Sequence, residues 1–115
     1  MSQQSIPVLA LTVAATGTIA ASRFVTAAGA QAGADANALG VARTAAVSGD
    51  KISVDCLGTA VVEAGAAVAA GASLKSDASG RGITWVTSGA KIGIALEAAS
   101  GAGVFIEVLL IPNVA

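Results

Sequence analysis

Short runs of apolar and β-branched residues, separated by glycine-rich or polar turns, recur along the 115 residues of this chain. Residues 51–56 alternate polar and apolar side chains, which predicts a strand with one buried face. Turns at 69–71 and 78–81 bound the next short runs, as is typical of hairpins. Residues 104–111 are apolar at nearly every position, so we expect a strand that is covered on both faces, by central placement in the fold or by a neighbouring subunit, and ended by Pro112.

The high alanine content would suit helices, but the glycines oppose them. The chain contains 14 glycines, and each one inside a helix costs about 1 kcal/mol relative to alanine. The β-branched residues also tend to be spaced by two positions rather than by three or four. The most helix-like window, residues 94–100, fits a strand leading into a turn equally well.

Two halves of the chain echo one another. Residues 40–46 (GVARTAA) are answered by residues 93–99 (GIALEAA), and each copy is followed by Ser-Gly and a short β-prone run. Upstream, residues 19–22 (IAAS) are answered by residues 68–71 (VAAG). The halves run roughly over residues 19–54 and 68–108. We therefore expect an all-β fold, a small β-barrel or β-sandwich built from two similar β-units with little helix.

The length of the chain predicts one domain, preceded by a short arm. Residues 1–7 are mostly polar, and the β-prone run 8–13 that follows has no obvious partner strand in the sequence. We divide the chain into an N-terminal arm, residues 1–12, and a single β domain, residues 13–115.

Charge is scarce on this chain. Hydrophobic residues make up 55% of it and charged residues 11%, with a formal net charge of −1. A surface so poor in charge packs against neighbours easily, which favours an assembled protein over an unusually apolar monomer. The six basic residues are scattered and form no basic stripe, so we expect no nucleic-acid partner.

The apolar composition does not predict a membrane segment. The stretch 56–74 carries Glu63 and three glycines, and no cluster of Lys or Arg flanks it. The first residues lack the basic region of a signal peptide. We expect a soluble protein that is made in the cytoplasm and has no membrane partner.

The chain lacks the residues that most catalytic and metal sites use. It has no histidine, which excludes histidine bases and histidine metal ligands. Its seven acidic residues stand singly or beside predicted turns, and we interpret them as solvated charges. The single cysteine, Cys56, is interpreted as a small buried hydrophobe. We expect no enzyme activity and no catalytic, cofactor-binding or metal-binding residue.

Binding residues are therefore sought among apolar side chains. A Trp on a strand is most often part of a core, but Trp is also enriched at interfaces, and Phe has the same ambiguity. The β-prone run near the N-terminus supplies further apolar candidates. The candidate interface residues are Ile6, Val8, Leu9, Leu11, Trp85 and Phe105.

Four segments, taken in order, carry a resemblance to a known family. They are residues 23–26 (RFVT), 37–43 (NALGVAR), 58–72 (GTAVVEAGAAVAAGA) and 93–110 (GIALEAASGAGVFIEVLL). Their order and spacing resemble the small capsid cement, or decoration, proteins of tailed bacteriophages and prophages (the DUF2190-like group).

The resemblance implies a structural virion protein with a small β-barrel or β-sandwich fold. Such a protein binds the outside of an icosahedral phage head, where it clamps neighbouring subunits of the major capsid protein, commonly as a homotrimer. The family offers no catalytic residue to this chain. We expect the arm, about residues 2–11, to become ordered only on the capsid or within the trimer.

Two other functions remain open. Another phage structural component, such as a tail tube or a head fibre, fits the same composition. A biotinyl- or lipoyl-like carrier domain would display a Lys at a tight hairpin turn, and neither Lys75 nor Lys91 stands in such a setting.

Overall fold

Eight strands form one sheet in the computed structural model, which describes residues 5–110. The strands are β1 (Pro7–Ala14), β2 (Phe24–Val25), β3 (Gly40–Ala42), β4 (Lys51–Glu63), β5 (Ser73–Ser76), β6 (Gly82–Thr84), β7 (Gly93–Ala95) and β8 (Phe105–Leu110). The order across the sheet is β2-β3-β4-β8-β7-β5-β6, and β1 also pairs with β4. All strand pairs are antiparallel, and residues 5–110 contain no helix.

The sheet curls until its ends nearly meet. Ala64, directly after β4, forms a parallel bridge with Gly82 of β6, and the Gly65 amide donates to the Gly82 carbonyl at 2.9 Å. This contact brings the last strand in the order against the end of the long central strand. The all-β prediction is confirmed, and the architecture is a nearly closed barrel.

The two-unit prediction is also confirmed, because the same hydrogen bonds recur in both halves. Ile19 and Ala46 exchange two backbone bonds of 2.8 and 2.9 Å, and their counterparts Val68 and Ala99 do so at 3.0 and 2.8 Å. Ser22 adopts a left-handed φ of 61°, and its counterpart Gly71 has a φ of 87°. A glycine at one of these positions is expected, since L-residues rarely adopt that conformation.

The units are longer than the sequence echo predicts, because β4 belongs to both. Its first part, 51–58, pairs with β1, and its second part, 58–63, pairs with β8. The units therefore span residues 7–58 (unit 1) and 58–110 (unit 2), and β1 corresponds to the second part of β4. The junction residue, Gly58, has a φ of 101°, and a Cβ there would meet the Ile6 carbonyl oxygen.

Each unit has its own group of buried apolar side chains. The cluster of unit 1 comprises Ala15, Ile19, Val25, Ala42, Ala46, Ile52, Val54 and Cys56. The counterparts of these residues, Ala64, Val68, Leu74, Ala95, Ala99, Ile106, Val108 and Leu110, all belong to the larger cluster. The larger cluster also takes Phe24 and Val41 from unit 1, so unit 1 helps to fill the core of unit 2.

Placement in the fold leaves part of the outer face of β8 exposed among residues 5–110, with Phe105 at 43% and Leu109 at 39%. Two other expectations need correction. Asp55 and Glu107 are not solvated charges but are 1% and 2% exposed, because each lies on a strand between paired neighbours. The β-prone run near the N-terminus does have a partner, β4. The predicted strand end at Pro112 and residues 1–4 lie outside the described residues.

Candidate functional site

Strand β1 is the most exposed apolar strand among the described residues. Val8 is 78% exposed, and Leu9 and Leu11 are each 41% exposed. The strand is nevertheless anchored by its pairing along β4, with Leu11 opposite Val54 and Ala14 opposite Lys51. Apolar side chains on an anchored strand form a surface that is preorganised for contact with another protein.

A second apolar surface continues from the start of β1. Ile6 exchanges two backbone hydrogen bonds with Thr59 of β4, at 3.1 and 3.0 Å, and Leu109 of β8 is the register partner of the same Thr59. Side chains of residues paired across a sheet lie on the same face. Phe105, four positions before Leu109 on β8, shares that face. We call these side chains, Ile6, Leu109 and Phe105, the outer apolar face.

Glu107 lies on β8 between the two exposed residues of that face. It is 2% exposed, and its Oε1 atom has no hydrogen-bond partner among the described residues. Its backbone amide donates to Glu97 Oε1 at 2.8 Å. A buried carboxylate oxygen without a donor is costly in a folded chain, and residues 5–110 offer no explanation for it.

Trp85 lies elsewhere, directly after β6, and is half-buried. Its Nε1 donates to the Gly89 carbonyl at 2.8 Å, and Lys91 Nζ sits 4.3 Å from the ring centroid. Trp85 is not a member of either core cluster. Its neighbour Val86 is 68% exposed.

A cavity of about 330 Å³, lined by both polar and apolar side chains, opens between the segment before β1, β3 and β4. Its most buried charge is Asp55, which accepts from Arg43 Nε at 2.8 Å on one oxygen and at 3.0 Å on the other. Ser5 Oγ donates to Asp55 Oδ2 at 3.2 Å. The cavity is lined by Ser5, Ser22, Val41, Arg43, Asp55 and Val61, among others.

A network of ion pairs joins the two units near the end of β4. Arg23 Nη2 lies 3.0 Å from Glu63 Oε1, and Arg23 Nη1 donates to the Ser79 carbonyl at 2.8 Å. Arg81 extends the network, since its Nη1 lies 3.9 Å from Glu63 Oε2 and its Nε lies 3.1 Å from Asp77 Oδ2. These side chains tie the chain before β2 to the hairpin of β5 and β6, which is a structural role.

Another ion pair connects β5 to a surface loop. Lys75 Nζ lies 2.8 Å from Asp35 Oδ1 and donates to the Ser88 carbonyl at 3.2 Å. The hydrogen bond from Lys75 holds the pKa of Asp35 below its usual value. Lys75 lies within β5 and Lys91 lies over Trp85, so neither lysine is at a hairpin turn of the kind that a carrier domain needs.

Cys56 is buried in the cluster of unit 1, as the sequence predicts. Burial raises the pKa of its thiol above the usual value. Among residues 5–110, no three His, Cys, Asp or Glu side chains lie together in a way that could hold a metal ion. That part of the chain also has no helix long and apolar enough to cross a membrane.

The structure brings together only some of the predicted interface residues. Val8, Leu9 and Leu11 lie on β1 and Ile6 directly precedes it, while Leu109 links Ile6 to Phe105. Leu109 was not among the candidates, because the apolar pattern of residues 104–111 predicts cover on both faces without saying whether the fold or a neighbouring subunit supplies it. Sequence reasoning missed the pair of Arg43 and Asp55, which meet only through the pairing of β3 with β4.

Comparison with known proteins gives two results. The family model for phage cement proteins matches residues 2–110. In fold, the chain is similar to the crystal structure of the N base of the head fibre gp8.5 of bacteriophage phi29, with a TM-score of 0.71 and 18% sequence identity. That match covers 90% of this chain and 93% of the other. No curated protein matches the chain.

Proposed function

Since the chain belongs to the phage cement protein family, we propose that it binds the outer surface of an icosahedral phage head and stabilises contacts between major capsid protein subunits. The observation that carries this proposal is the exposure of apolar side chains on anchored strands, with Val8 78% exposed and Phe105 43% exposed. Surfaces of this kind mark sites of protein contact. In this role the protein is a structural part of the virion and not an enzyme.

Two surfaces serve the contact in this proposal. Strand β1 offers Val8, Leu9 and Leu11, and the outer apolar face offers Ile6, Leu109 and Phe105. The surfaces are continuous through Ile6, which directly precedes β1. Together the two surfaces would allow one protomer to contact two neighbouring subunits, which is what a protein that spans a seam requires.

We further propose that the protein acts as a homotrimer. Three copies joined together bind a shell at several points, and each later contact forms within the already bound particle rather than from solution. Trp85 and the exposed Val86 beside it are the candidates for contacts that β1 does not make. The division into an arm, residues 1–12, and a domain, residues 13–115, is kept as a proposal, in which the arm presents its apolar side chains to the capsid while it stays paired with β4.

The proposed location is the exterior of the virion capsid, after synthesis in the host cytoplasm. The proposal needs no cofactor, metal, nucleic acid or membrane, because apolar burial and hydrogen bonding supply the affinity.

The experiment uses phage heads assembled without this protein. Purified protein is added, the bound copies per head are counted, and the sites are located by cryo-electron microscopy. We expect saturable binding on the outer surface, a mass of three protomers in solution, and heads that withstand higher temperature when loaded. Absence of binding to heads would contradict the proposal.

A second candidate is the base of a head fibre. It is supported by the similarity in fold to the N base of gp8.5, which covers 90% of this chain. In both proposed functions the protein lies on the phage head. Only in the second does it carry a fibre. A fibre projecting from each bound copy in micrographs would favour the second, and a low cap over a subunit seam would favour the first.

A further inference from the structure

The side chain of Arg43 is held in place by Asp55 through only one of its N–H donors. Its Nε donates to both oxygens of Asp55, at 2.8 and 3.0 Å. Among residues 5–110, no hydrogen bond from its Nη1 or Nη2 is present. An arginine carries five N–H donors in a planar fork, so four of them have no hydrogen-bond partner within the described part of the chain.

Asp55 makes this arrangement rigid. The carboxylate is 1% exposed, and it also accepts a hydrogen bond from Ser5 Oγ at 3.2 Å. The Arg43 side chain, by contrast, is 44% exposed, so its far end reaches the open side of the cavity. A guanidinium held at Nε loses little conformational freedom when the Nη groups bind.

The Nη groups of Arg43 therefore make the cavity suited to a group that accepts hydrogen bonds. Its volume of about 330 Å³ admits a side chain, and its apolar wall includes Val41 and Val61. Arginine pairs with carboxylates through parallel hydrogen bonds, which are stronger than neutral ones. The complementary group is a carboxylate on a short apolar stem, which describes an Asp or Glu side chain.

The carboxylates of this chain are poor candidates for that role in a second copy. All seven acidic residues lie within residues 5–110, and six of them already accept hydrogen bonds inside the protomer. Those six are Asp35, Asp50, Asp55, Glu63, Asp77 and Glu97. The seventh, Glu107, is 2% exposed. These existing bonds favour an acceptor from another kind of chain, and the experiment below also tests a second copy as the source.

We propose that this cavity, the Arg43 pocket, receives an Asp or Glu side chain of the capsid shell protein. The inference rests on the proposed function and adds to it a polar anchor beside the apolar contact, since Ser5 links the pocket to the start of β1. The apolar surfaces supply adhesion, and the pocket fixes the position of the protein on the shell. Charged groups at interfaces act in this way, setting register and partner choice.

The test measures binding to heads that lack this protein, with four forms of it. Arg43→Lys keeps the charge and the pairing with Asp55 but loses the planar fork. The double variant Arg43→Gln with Asp55→Asn removes both charges, so that no buried carboxylate is left unpaired. Lys51→Gln is the matched control, because it removes one positive charge from an exposed position outside the pocket. Thermal unfolding establishes that each variant is folded.

We expect Arg43→Lys and the double variant to bind heads about tenfold or more weakly, the effect of losing charge-assisted hydrogen bonds. Lys51→Gln should bind within about twofold of wild type. Wild-type binding by folded Arg43→Lys would overturn the inference and leave the proposed function standing.

Two other outcomes have separate meanings. If the wild-type protein does not bind heads, the proposed function fails, and the assignment of the pocket to the shell fails with it. If Arg43→Lys instead weakens self-association of the free protein in sedimentation experiments, the carboxylate comes from a second copy and the shell is the wrong source.

Discussion

The two β-units share a hydrogen-bonding pattern, but their first strands have different surroundings. In unit 2 the first strand is the second part of β4, where Ala60 and Val62 are 1% and 0% exposed. In unit 1 it is β1, where Leu11, the counterpart of Ala60, is 41% exposed, while Val13, the counterpart of Val62, is partly buried. The strand of unit 2 is covered because unit 1 lies against it, with the Glu63 amide donating to the Ser22 carbonyl at 3.1 Å.

This difference indicates what β1 is for. Unit 1 covers the first strand of unit 2. The equivalent strand of unit 1, β1, is left without such a cover unless the barrel closes fully or another molecule binds. The barrel closes at Ala64 and Gly82, not at β1. We therefore interpret the exposed apolar side of β1 as a position in the repeat that a partner protein fills.

The largest expected effect on stability comes from the residue that joins the two cores. Phe24 comes from unit 1, is 0% exposed, and packs in the larger cluster. Phe24→Ala should lower the free energy of unfolding by about 3–5 kcal/mol, because it leaves a cavity shared by both units. Urea unfolding measures this change. Phe105→Ala, the same substitution at a 43% exposed position, should cost much less, and equal losses would contradict the account of two unequal cores.

A smaller loss is expected at the junction between the units. In Gly58→Ala, a Cβ on a residue with a φ of 101° would meet the Ile6 carbonyl and push the start of β1 away from β4. We expect a loss of at least about 2 kcal/mol, from backbone strain and displaced pairing together. Gly103→Ala is the control, since its φ is 88° but no atom lies near the added methyl. Backbone strain alone should lower its free energy of unfolding by only about 1 kcal/mol.

Next in size is the ion-pair network between the units. Arg23 and Glu63 are mostly buried, with 18% and 17% of their side chains exposed. Glu63→Gln should lower stability by about 1–2 kcal/mol, since two arginines lose a charged partner. Chemical denaturation in low salt measures it. The same neutral substitution at Asp35, which pairs with Lys75 on the surface, should cost less.

The smallest effect is a pH dependence at Cys56, which β1 helps to cover. Its raised folded-state pKa means that the unfolded chain loses the thiol proton first as the pH rises. Stability is therefore unaffected well below the unfolded thiol pKa and falls as the pH passes above it. Wild type should lose more stability than Cys56→Ala between neutral and alkaline pH. Identical pH profiles would contradict the burial of this thiol.

The sequence predicts the two repeated β-units well, but it predicts poorly which side chains are exposed. The echo between residues 40–46 and 93–99 identifies two β-units because small residues are required where strands approach closely, as at Gly40 against Asp55. Burial of Asp55 could not be predicted, since its partner Arg43 reaches it only through strand pairing. The exposure of Leu109 was missed for a related reason. An apolar run predicts that a strand is covered in the assembled protein, but it does not predict which molecule covers the strand.

The most direct test of the central claim compares two exposed valines in unit 1. Val8 on β1 is 78% exposed, and Val47 on the turn before β4 is 59% exposed. Val8→Lys and Val47→Lys should both fold with nearly wild-type stability, because neither side chain is buried. Binding of each variant to heads that lack this protein is then measured as copies per head. The account predicts that Val8→Lys abolishes most of the binding while Val47→Lys binds as wild type does, and full occupancy by Val8→Lys would contradict it.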